Sequence, residues 1–327
     1  MIVLVTGGLG FIGSNLVKYL ISKKNIKKII IVDNFSKSSC NYISSFTKYK
    51  LFNNSSRYKK SSHKIEIIKE SINNYKFALK ITKGIDQLIH LAAESGIDAS
   101  INFPKHAIET NVNGTLNYLE AARINKVKNF IFASSGSVFG DTKPPMKENY
   151  PRNPISPYGS SKLTIETFCQ TYSNVFSLNT AIIRFSNIYG CFSDHKTSVI
   201  SKFIKKIING EKLEIFGDGK QTRDFLYVDD VVSAIYKSLK NSTHCREYHV
   251  GTGKETSLNQ LLKNLLSILR PMGYENTNIS YVKPRSGDMR KNSLSTQATE
   301  KKLKWSAKTK LHDGLRKTVN WYINLKS

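Results

Sequence analysis

The sequence predicts an α/β protein built on a doubly wound parallel sheet, followed by a smaller mixed α/β lobe. Short β-branched runs alternate with stretches of helical periodicity through the first 185 residues. The runs are continuously apolar, which is typical of parallel strands that helices cover on both faces. The length of 327 residues exceeds the roughly 150 residues of an average domain, so an additional lobe is expected.

Six apolar runs are predicted as strands of this sheet, and helical patterns follow the first, fourth and fifth of them. The predicted strands are residues 2–6, 29–33, 65–69, 86–93, 129–135 and 179–185. After residue 186 helices and short strands mix, which indicates the lobe. We expect a first domain at 1–180 with a returning segment near 224–250, and a lobe at 181–223 and 251–327.

The stretch of residues 40–64 interrupts this alternation. It is rich in Ser, Lys and Asn, and its apolar residues show no clear period. Such a segment predicts an exposed, partly mobile basic loop. An arm that contacts phosphate groups or a membrane surface is the alternative.

The composition is strongly basic, with 50 Lys and Arg against 24 Asp and Glu and a net charge of +26. This charge favours anionic partners, but most lysines occur singly or in pairs, which indicates a general surface bias and not a nucleic-acid-binding helix. The four cysteines lack metal-ligand spacing, so neither a metal nor disulfides are expected. No apolar run approaches about 18 residues, which predicts a cytoplasmic protein without membrane insertion.

The glycines of TGGLGFIG follow the first predicted strand and open the first helix. Gly7, Gly10 and Gly13 would permit a sharp turn and a close approach of the backbone to a pyrophosphate at the helix N-terminus. A tight turn without a ligand is the alternative. Asp33 stands at the end of the second strand, twenty residues after Gly13. A carboxylate there accepts hydrogen bonds from the ribose hydroxyls and repels a 2′-phosphate, which favours NAD over NADP. The glycines and Asp33 together predict a Rossmann-type domain.

A second polar group follows the fifth strand. Tyr158 and Lys162 are four residues apart at the start of a helical pattern, so the ammonium can favour ionisation of the phenol. Ser134 and Ser135 end the preceding strand, and Ser135 could share a substrate oxygen with Tyr158. A surface Tyr–Lys pair, with hydroxyls that cap the strand end, is the alternative.

Nine motifs occur in order over nearly the whole chain. They are TGGLGFIG, VDNFS, HLAAE, ETNVNGTLNYLEAAR, FASSGSVFG, YGSSK, RFSNIYG, GDGKQTRDFLYVDD and PRSGD. Together they resemble the extended short-chain dehydrogenase/reductase family and, within it, the nucleotide-sugar 4-epimerases that act on UDP-sugars. The resemblance implies that NAD oxidises the sugar at C4, that the transient keto sugar turns, and that the hydride returns to its other face.

The resemblance also implies a role for individual residues. Tyr158 would be the catalytic base, Lys162 would assist it and hold the nicotinamide ribose, and Ser135 would bind the reacting hydroxyl. The cofactor-binding residues would be Gly7, Gly10, Phe11, Ile12, Gly13, Asp33, Asn34, Ser36, Ser71, Ile72, Leu91, Ala92, Ala93, Asn111, Tyr158 and Lys162. The substrate-binding residues would be Ser134, Ser135, Asn187, Arg223, Arg285 and Asp288.

Two positions depart from the family pattern. The Gly-Asp that usually ends the third strand is Glu70-Ser71 here, which leaves the adenine contact open. A tyrosine that limits the sugar substituent in galactose epimerases is Asn292 here, so a hexose, a hexuronate or an N-acetylhexosamine could fit. His195 or Lys196, in the 193–199 loop, could pair with a uronate.

The same resemblance separates the reactions. Dehydratases carry Asp-Glu where this chain has Gly136 and Ser137, and UDP-glucuronate decarboxylases read YDEGK in place of YGSSK. We therefore predict a UDP-sugar 4-epimerase, with another NAD-dependent nucleotide-sugar enzyme (a decarboxylase, dehydratase or 4-keto reductase) as the alternative, and a non-catalytic NAD- or nucleic-acid-binding protein as a remoter one. Helices near 104–124 and 157–178 match those that pair in family homodimers, so a homodimer is implied.

Overall fold

The computed structural model describes residues 1–240, 244–275, 278–283 and 290–325. Its centre is a sheet of eight strands in which every pairing is parallel. In chain order these strands are β1 (Ile2–Thr6), β2 (Lys28–Asp33), β3 (Lys50–Phe52), β4 (Ile65–Lys69), β5 (Gln87–His90), β6 (Asn129–Ser135), β7 (Asn179–Phe185) and β12 (Arg246–Val250). Their spatial order is β12-β7-β6-β5-β1-β2-β4-β3. The predicted doubly wound parallel sheet is confirmed.

Helices lie on both faces of this sheet and in the lobe. They are α1 (Phe11–Ile21), α2 (Asn41–Ser44), α3 (Tyr75–Ile81), α4 (Ile97–Asn102), α5 (Pro104–Ile108), α6 (Thr115–Ile124), α7 (Pro157–Phe176), α8 (Val199–Ile208), α9 (Val228–Ser238), α10 (Leu258–Leu269), α11 (Gln297–Leu303) and α12 (Leu311–Asn324). A π-helical segment, Glu109–Gly114, joins α5 to α6.

Both faces of the sheet are buried, which explains the continuous apolar runs. Successive side chains of a strand point to opposite faces, and β1 follows this rule: Val3 and Val5 enter one apolar cluster, whereas Leu4 enters the other. Because β1 lies between β2 and β5, the carboxyl ends of these three strands form one crevice. Ligands of doubly wound sheets bind in such crevices.

The lobe forms from the chain that follows β7, apart from α9 and β12, which return to the central sheet domain. It contains α8, α10, α11 and α12, together with three small sheets of two or three strands. These strands are β8 (Asn187–Tyr189), β9 (Leu213–Phe216), β10 (Thr222–Arg223), β11 (Phe225–Tyr227), β13 (Thr256–Ser257), β14 (Ile279–Val282) and β15 (Lys291–Asn292). A boundary at residue 180 would divide β7, all of which pairs with β6. We therefore propose a boundary after Phe185.

The stretch of residues 40–64 is more ordered than the sequence predicts. It contains the short helix α2 and the edge strand β3, which pairs with β4. Tyr58 is buried, and its hydroxyl donates to Glu66 Oε2 at 2.9 Å. The Tyr42 ring stacks on Phe192 of the lobe, with ring centres 4.8 Å apart. Most side chains of the stretch are exposed, as predicted, but its backbone is not a plain loop, because a few aromatic residues pack against neighbouring elements.

Within the described ranges, no helix is both long enough and apolar enough to span a bilayer.

Candidate active site

The three glycines of the first turn have different surroundings. Gly7 has φ +67°, and a Cβ there would lie 2.7 Å from Ala92 Cα. A Cβ on Gly13 would lie 2.3 Å from the carbonyl oxygen of Gly7, so Gly13 lets α1 pack against the turn. A Cβ on Gly10 would meet only the Gly7 oxygen, at 3.4 Å. Gly10 is thus the position where the absent side chain leaves room for a ligand.

The N-terminus of α1 faces the same turn. Gly10 is its N-cap and offers no side-chain hydrogen bond, and the first turn of α1 carries no acidic residue. The Phe11 side chain is buried. At the start of the helix, Phe11 and Ile12 therefore offer backbone N–H groups to a ligand. The N–H groups and the dipole of such a helix end favour an anion.

Asp33 ends β2 beside this turn. Its carboxylate accepts hydrogen bonds from Leu9 N at 3.1 Å and from Phe35 N at 2.9 Å. Burial raises the pKa of Asp33, and the two backbone donors lower it. The Asn34 side chain accepts from Ser36 N at 3.1 Å and shapes the turn that follows. The position and orientation of Asp33 suit the recognition of a ribose diol.

The opposite wall of the crevice follows β5 and contains Leu91, Ala92 and Ala93. Leu91 N donates to Thr6 O of β1 at 3.1 Å. The buried Asn111 accepts from Glu94 N at 2.8 Å and donates to Glu94 O at 3.0 Å and to Ser161 Oγ at 3.1 Å. Asn111 therefore fixes the loop after β5 to α7.

Ser71 and Ile72 lie beyond the end of β4. Ser71 Oγ accepts a hydrogen bond from Asn73 N at 3.2 Å. Ile72 is buried, and a Cβ added to Gly114 would lie 2.7 Å from its side chain. These two residues border the crevice at the position where the family usually has Gly-Asp, and their contact with a cofactor stays a prediction.

Helix α7 positions the Tyr–Lys pair. Ser156 caps the helix by accepting from Gly159 N at 3.1 Å, and Pro157 occupies the first turn. The Nζ of Lys162 lies 5.8 Å from the centre of the Tyr158 ring and donates to Ala133 O of β6 at 2.8 Å. The helix start and the end of β6 thus bring Tyr158, Lys162 and Ser135 together.

The electrostatics of this group follow from its burial. Burial raises the pKa of Tyr158, and a hydrogen bond with Ser135 lowers it. Burial also lowers the pKa of Lys162 to about 8, against the opposite effect of Glu166. The Ser135 hydroxyl donates to Ser137 Oγ at 3.1 Å. The arrangement can transfer a proton between the phenol and a hydroxyl held by Ser135.

Ser134 has different partners from Ser135. It is 3% exposed, and its hydroxyl donates to Glu166 Oε1 of α7. Ser135 has a hydrogen bond with Tyr158, whereas the neighbouring Ser134 hydroxyl is directed to Glu166, further along α7. In this structure the Ser134 hydroxyl belongs to a buried polar network with Glu166, and the substrate contact of Ser134 stays a prediction that these contacts do not favour.

Two predicted substrate-binding residues, Asn187 and Arg223, line one cavity of about 260 Å³. The cavity lies between β8, α8 and the strands of the lobe. Asn187 N donates to Asp224 O at 2.9 Å, and Arg223 pairs in register with Asn292 of β15. Arg285 and Asp288 lie outside the described residues.

The cavity also contains residues that the sequence reasoning missed. Lys202 and Phe203 of α8 and Glu214 to Phe216 of β9 line it beside Arg223. Helix α8 is strongly amphipathic, and buried and half-buried residues alternate along β9. Each element therefore packs one side on the protein and leaves the other side open to a ligand. That signal could have placed them next to a ligand.

The glycine turn, the uncapped start of α1 and Asp33 fit NAD. A pyrophosphate could lie in the open space beside Gly10, and Asp33 would be the residue to accept hydrogen bonds from the adenosine ribose. Tyr158 and Lys162 are at the far side of β5, where a dinucleotide bound along the crevice would present its second nucleotide.

Comparison with known proteins agrees with this arrangement. The model of the NAD dependent epimerase/dehydratase family matches residues 3–251. A putative UDP-glucose 4-epimerase of Methanocaldococcus jannaschii is 37% identical, with 98% of each chain covered. The human dTDP-D-glucose 4,6-dehydratase is 32% identical over 98% of this chain and 89% of its own length.

A solved structure extends the similarity to three dimensions. The UDP-glucose 4-epimerase of Thermotoga maritima, crystallised with UDP-glucose, superposes with a TM-score of 0.88 at 32% identity and covers 100% of both chains. The resemblance to the extended short-chain dehydrogenases/reductases and the assignment of NAD as the cofactor are confirmed at the level of the family. The chain belongs to the NAD-dependent epimerase/dehydratase family of nucleotide-sugar enzymes.

Proposed function

We propose that this protein is a 4-epimerase of a UDP-sugar that acts through a transient 4-keto sugar. The observation that carries the proposal is the assembly of Ser135, Tyr158 and Lys162 at the crevice, with Gly136 and Ser137 in the positions where dehydratases have Asp-Glu. Bound NAD supplies the acceptor and donor of the hydride at the sugar C4.

The residues of the chain handle the proton. Tyr158 as phenolate accepts the proton of the C4 hydroxyl, and Ser135 holds the oxygen of that hydroxyl by a hydrogen bond. The ammonium of Lys162, 5.8 Å from the Tyr158 ring centre, favours the phenolate over the neutral phenol. Tyr158 returns the proton when the other epimer forms.

The nucleotide end of the substrate requires separate binding residues. Arg223 lines the cavity beside Asn187, and a guanidinium binds a diphosphate in bidentate fashion. Arg285 and Asp288 remain predicted partners of the same diphosphate. Tight binding of the nucleotide and looser contacts to the sugar would let the keto sugar turn.

The choice between epimerisation and dehydration depends on the acid–base groups beside Ser135. Loss of water from the sugar needs an acid and a base, which dehydratases supply as adjacent Asp and Glu. Gly136 has no side chain, and Ser137 Oγ accepts from Ser135 Oγ at 3.1 Å. Neither group can act as a carboxylate, which supports epimerisation although the relatives include 4,6-dehydratases.

The test is a panel of nucleotide sugars incubated with the purified protein. UDP-glucose, UDP-glucuronate, UDP-N-acetylglucosamine and dTDP-glucose are each analysed for the C4 epimer and for a 4-keto-6-deoxy product. Epimerisation without net production of NADH is the expected result. Formation of the keto product, or no conversion of any UDP-sugar, would overturn the proposal.

The variant Tyr158→Phe checks the role of the phenol. We expect kcat to fall by about 10²–10⁴-fold, the usual contribution of general acid–base catalysis. Bound NAD should be retained because the ring remains in place. Thr164 lies on the same helix, and its exposed hydroxyl donates to Ser160 O. The variant Thr164→Ala is therefore the control, and its kcat should be near normal.

A further inference from the structure

An ion pair crosses the crevice above the glycine turn. Lys37 follows β2 by four residues, and Glu94 follows β5 by four residues. The Lys37 ammonium pairs with Glu94 Oε1. Because β1 lies between β2 and β5, this pair spans the carboxyl end of β1, from which the glycine turn starts.

A second lysine reaches the same place from the lobe. Lys196 belongs to the 193–199 loop, and its Nζ donates to Ser95 Oγ, next to Glu94, at 3.1 Å. The side chain is half-buried. The lobe and the dinucleotide-binding domain thus meet at one polar cluster of Lys37, Glu94, Ser95 and Lys196.

Hydrogen bonds from α8 and within the loop fix the backbone around Lys196. Lys205 Nζ donates to Asp194 O at 2.7 Å and to Lys196 O at 3.2 Å. Lys196 N donates to Ser193 O at 2.9 Å. At the start of the loop the Phe192 ring stacks on Tyr42. Lys196 therefore projects from a fixed backbone.

The charges of this cluster do not balance. Lys37 pairs with the single carboxylate of Glu94, and the Lys196 ammonium lies beside it on Ser95; His106 Nε2 is 3.8 Å from the other oxygen of Glu94. Burial lowers the pKa of Lys196, Lys37 lowers it further, and Glu94 opposes both. An anion with two charges would neutralise the two lysines better than Glu94 alone does.

We propose that Lys37 and Lys196 bind a diphosphate in the crevice at the carboxyl end of β1, from the side opposite the N-terminus of α1. Glu94 holds Lys37 over the glycine turn until the diphosphate replaces the carboxylate. The position above β1 favours the diphosphate of NAD, and that of the nucleotide sugar is the other source of the same chemistry. The inference requires NAD binding, which the family establishes, and is independent of epimerisation.

Titration calorimetry of the cofactor-free protein with NAD, and separately with UDP, tests the pair. We expect Lys37→Met and Lys196→Met each to weaken NAD binding by about tenfold, as for the loss of one charge-assisted hydrogen bond. Lys48→Met is the control because Lys48 is an exposed lysine of the 40–64 stretch, away from the cluster of Lys37, Glu94, Ser95 and Lys196. It should change the Kd by less than about twofold, and the unfolding temperatures of the cofactor-free variants show that they fold.

Glu94→Gln gives the opposite prediction. Asn111 binds the backbone of Glu94, so this variant removes a competing charge and keeps the loop, and NAD should bind severalfold more tightly. Weaker UDP binding with unchanged NAD binding in the lysine variants would assign the pair to the nucleotide sugar. The proposal is overturned if neither lysine variant weakens either ligand, or if Glu94→Gln weakens NAD as much as Lys37→Met. A protein that passes this test but converts no sugar would contradict only the proposed function.

Discussion

At the scale of single residues, Gly10 and Gly13 predict two separable effects. Gly10→Ala adds a methyl group whose nearest neighbour would be at 3.4 Å, so the free energy of unfolding should fall only by the about 0.5–1 kcal/mol that separates alanine from glycine at an N-cap. The same methyl would fill the space for the pyrophosphate, and NAD affinity should fall at least about tenfold.

Gly13→Ala, in contrast, should lower the free energy of unfolding strongly. Its Cβ would lie 2.3 Å from Gly7 O and 2.6 Å from Gly8 Cα, which forces α1 away from the turn and costs about 1–3 kcal/mol. Urea unfolding of the cofactor-free variants and calorimetric NAD titration measure both effects. Equal stability losses for Gly10→Ala and Gly13→Ala would contradict the assignment of space to the ligand.

Lys162 predicts a pH dependence of catalysis. Burial lowers the pKa of Lys162 to about 8, so its ammonium predominates below this pH and is lost as the pH rises. The support that the ammonium gives to the Tyr158 phenolate should then fade, and kcat should decline above about pH 8. Lys162→Arg stays charged, and the decline should move to higher pH even if its maximal kcat is lower.

The same shift affects stability with a defined sign. The unfolded lysine titrates near 10.5, so between pH 8 and 10.5 the unfolded state binds more protons than the folded one. The contribution of Lys162 to the free energy of unfolding therefore rises with pH across this window. A wild-type activity that is flat to pH 10, or an identical decline in Lys162→Arg, would refute the link between the alkaline limb and Lys162.

The sequence can predict site residues that depend on local spacing. Gly7, Gly13 and Asp33 belong to one strand–turn–helix–strand unit, whose dimensions fix their separation along the chain. Lys196 contacts Ser95, a residue 101 positions away, and Ser134 turns towards Glu166 of α7. Such contacts depend on how separate elements pack, and no local pattern encodes them.

At the scale of elements, a buried ion network fixes helix α7 to the sheet. Arg184 of β7 is fully buried and donates to both oxygens of Glu166, at 2.8 and 2.6 Å, and to Glu247 of β12 at 2.9 Å. Arg152 donates to Glu247 at 2.6 Å. The network lies one helical turn below Lys162, so it holds the helix that carries the Tyr–Lys pair.

Removing one charge from this network should destabilise the fold. Glu166→Gln leaves Arg184 with a weaker partner in a dry environment, and loss of one member of a buried pair costs about 3–5 kcal/mol. The urea midpoint measures the effect, with the exposed Glu109→Gln as the control. Indistinguishable midpoints for the two variants would show that the network contributes no net stability.

The edge strand β3 shows where element prediction from sequence fails. Its three residues, Lys50 to Phe52, are too few to show a period of two, and a polar stretch surrounds them. The strand forms because it pairs with β4, and because the Phe52 and Tyr58 rings meet edge to face with centres 5.1 Å apart. The long buried strands β1, β2 and β6 need no such context, and the sequence predicts them.

At the scale of the whole molecule, an apolar surface covers the helices next to the site. Large side chains are exposed on four elements that pack side by side, from α4 to α7. They are Ile97, Ile101, Phe103, Ile108, Ile124, Phe168, Val175 and Phe176. Exposed apolar side chains gathered on neighbouring helices of a folded protein indicate an interaction surface.

We infer that a second copy of the chain covers this surface, as the family resemblance implies. Phe168, Val175 and Phe176 recur at the spacing of one face of α7 and are 36%, 65% and 46% exposed. A two-fold axis beside α7 would pair this face with itself, because identical patches meet in an isologous dimer. The charge of +26 opposes association, so the apolar burial must outweigh that repulsion.

The double variant Phe168→Glu/Phe176→Glu tests the dimer. Each glutamate would be desolvated in the interface, so sedimentation velocity should show a dimer for the wild type and a monomer for the variant. Met272→Glu, at another exposed apolar residue (43% exposed) after α10, should leave the dimer intact and controls for the added charge. A wild-type monomer at micromolar concentration would refute the inference. Because the substituted residues are exposed in the single chain, the far-UV spectrum of the variant should match that of the wild type, which separates loss of the dimer from loss of the fold.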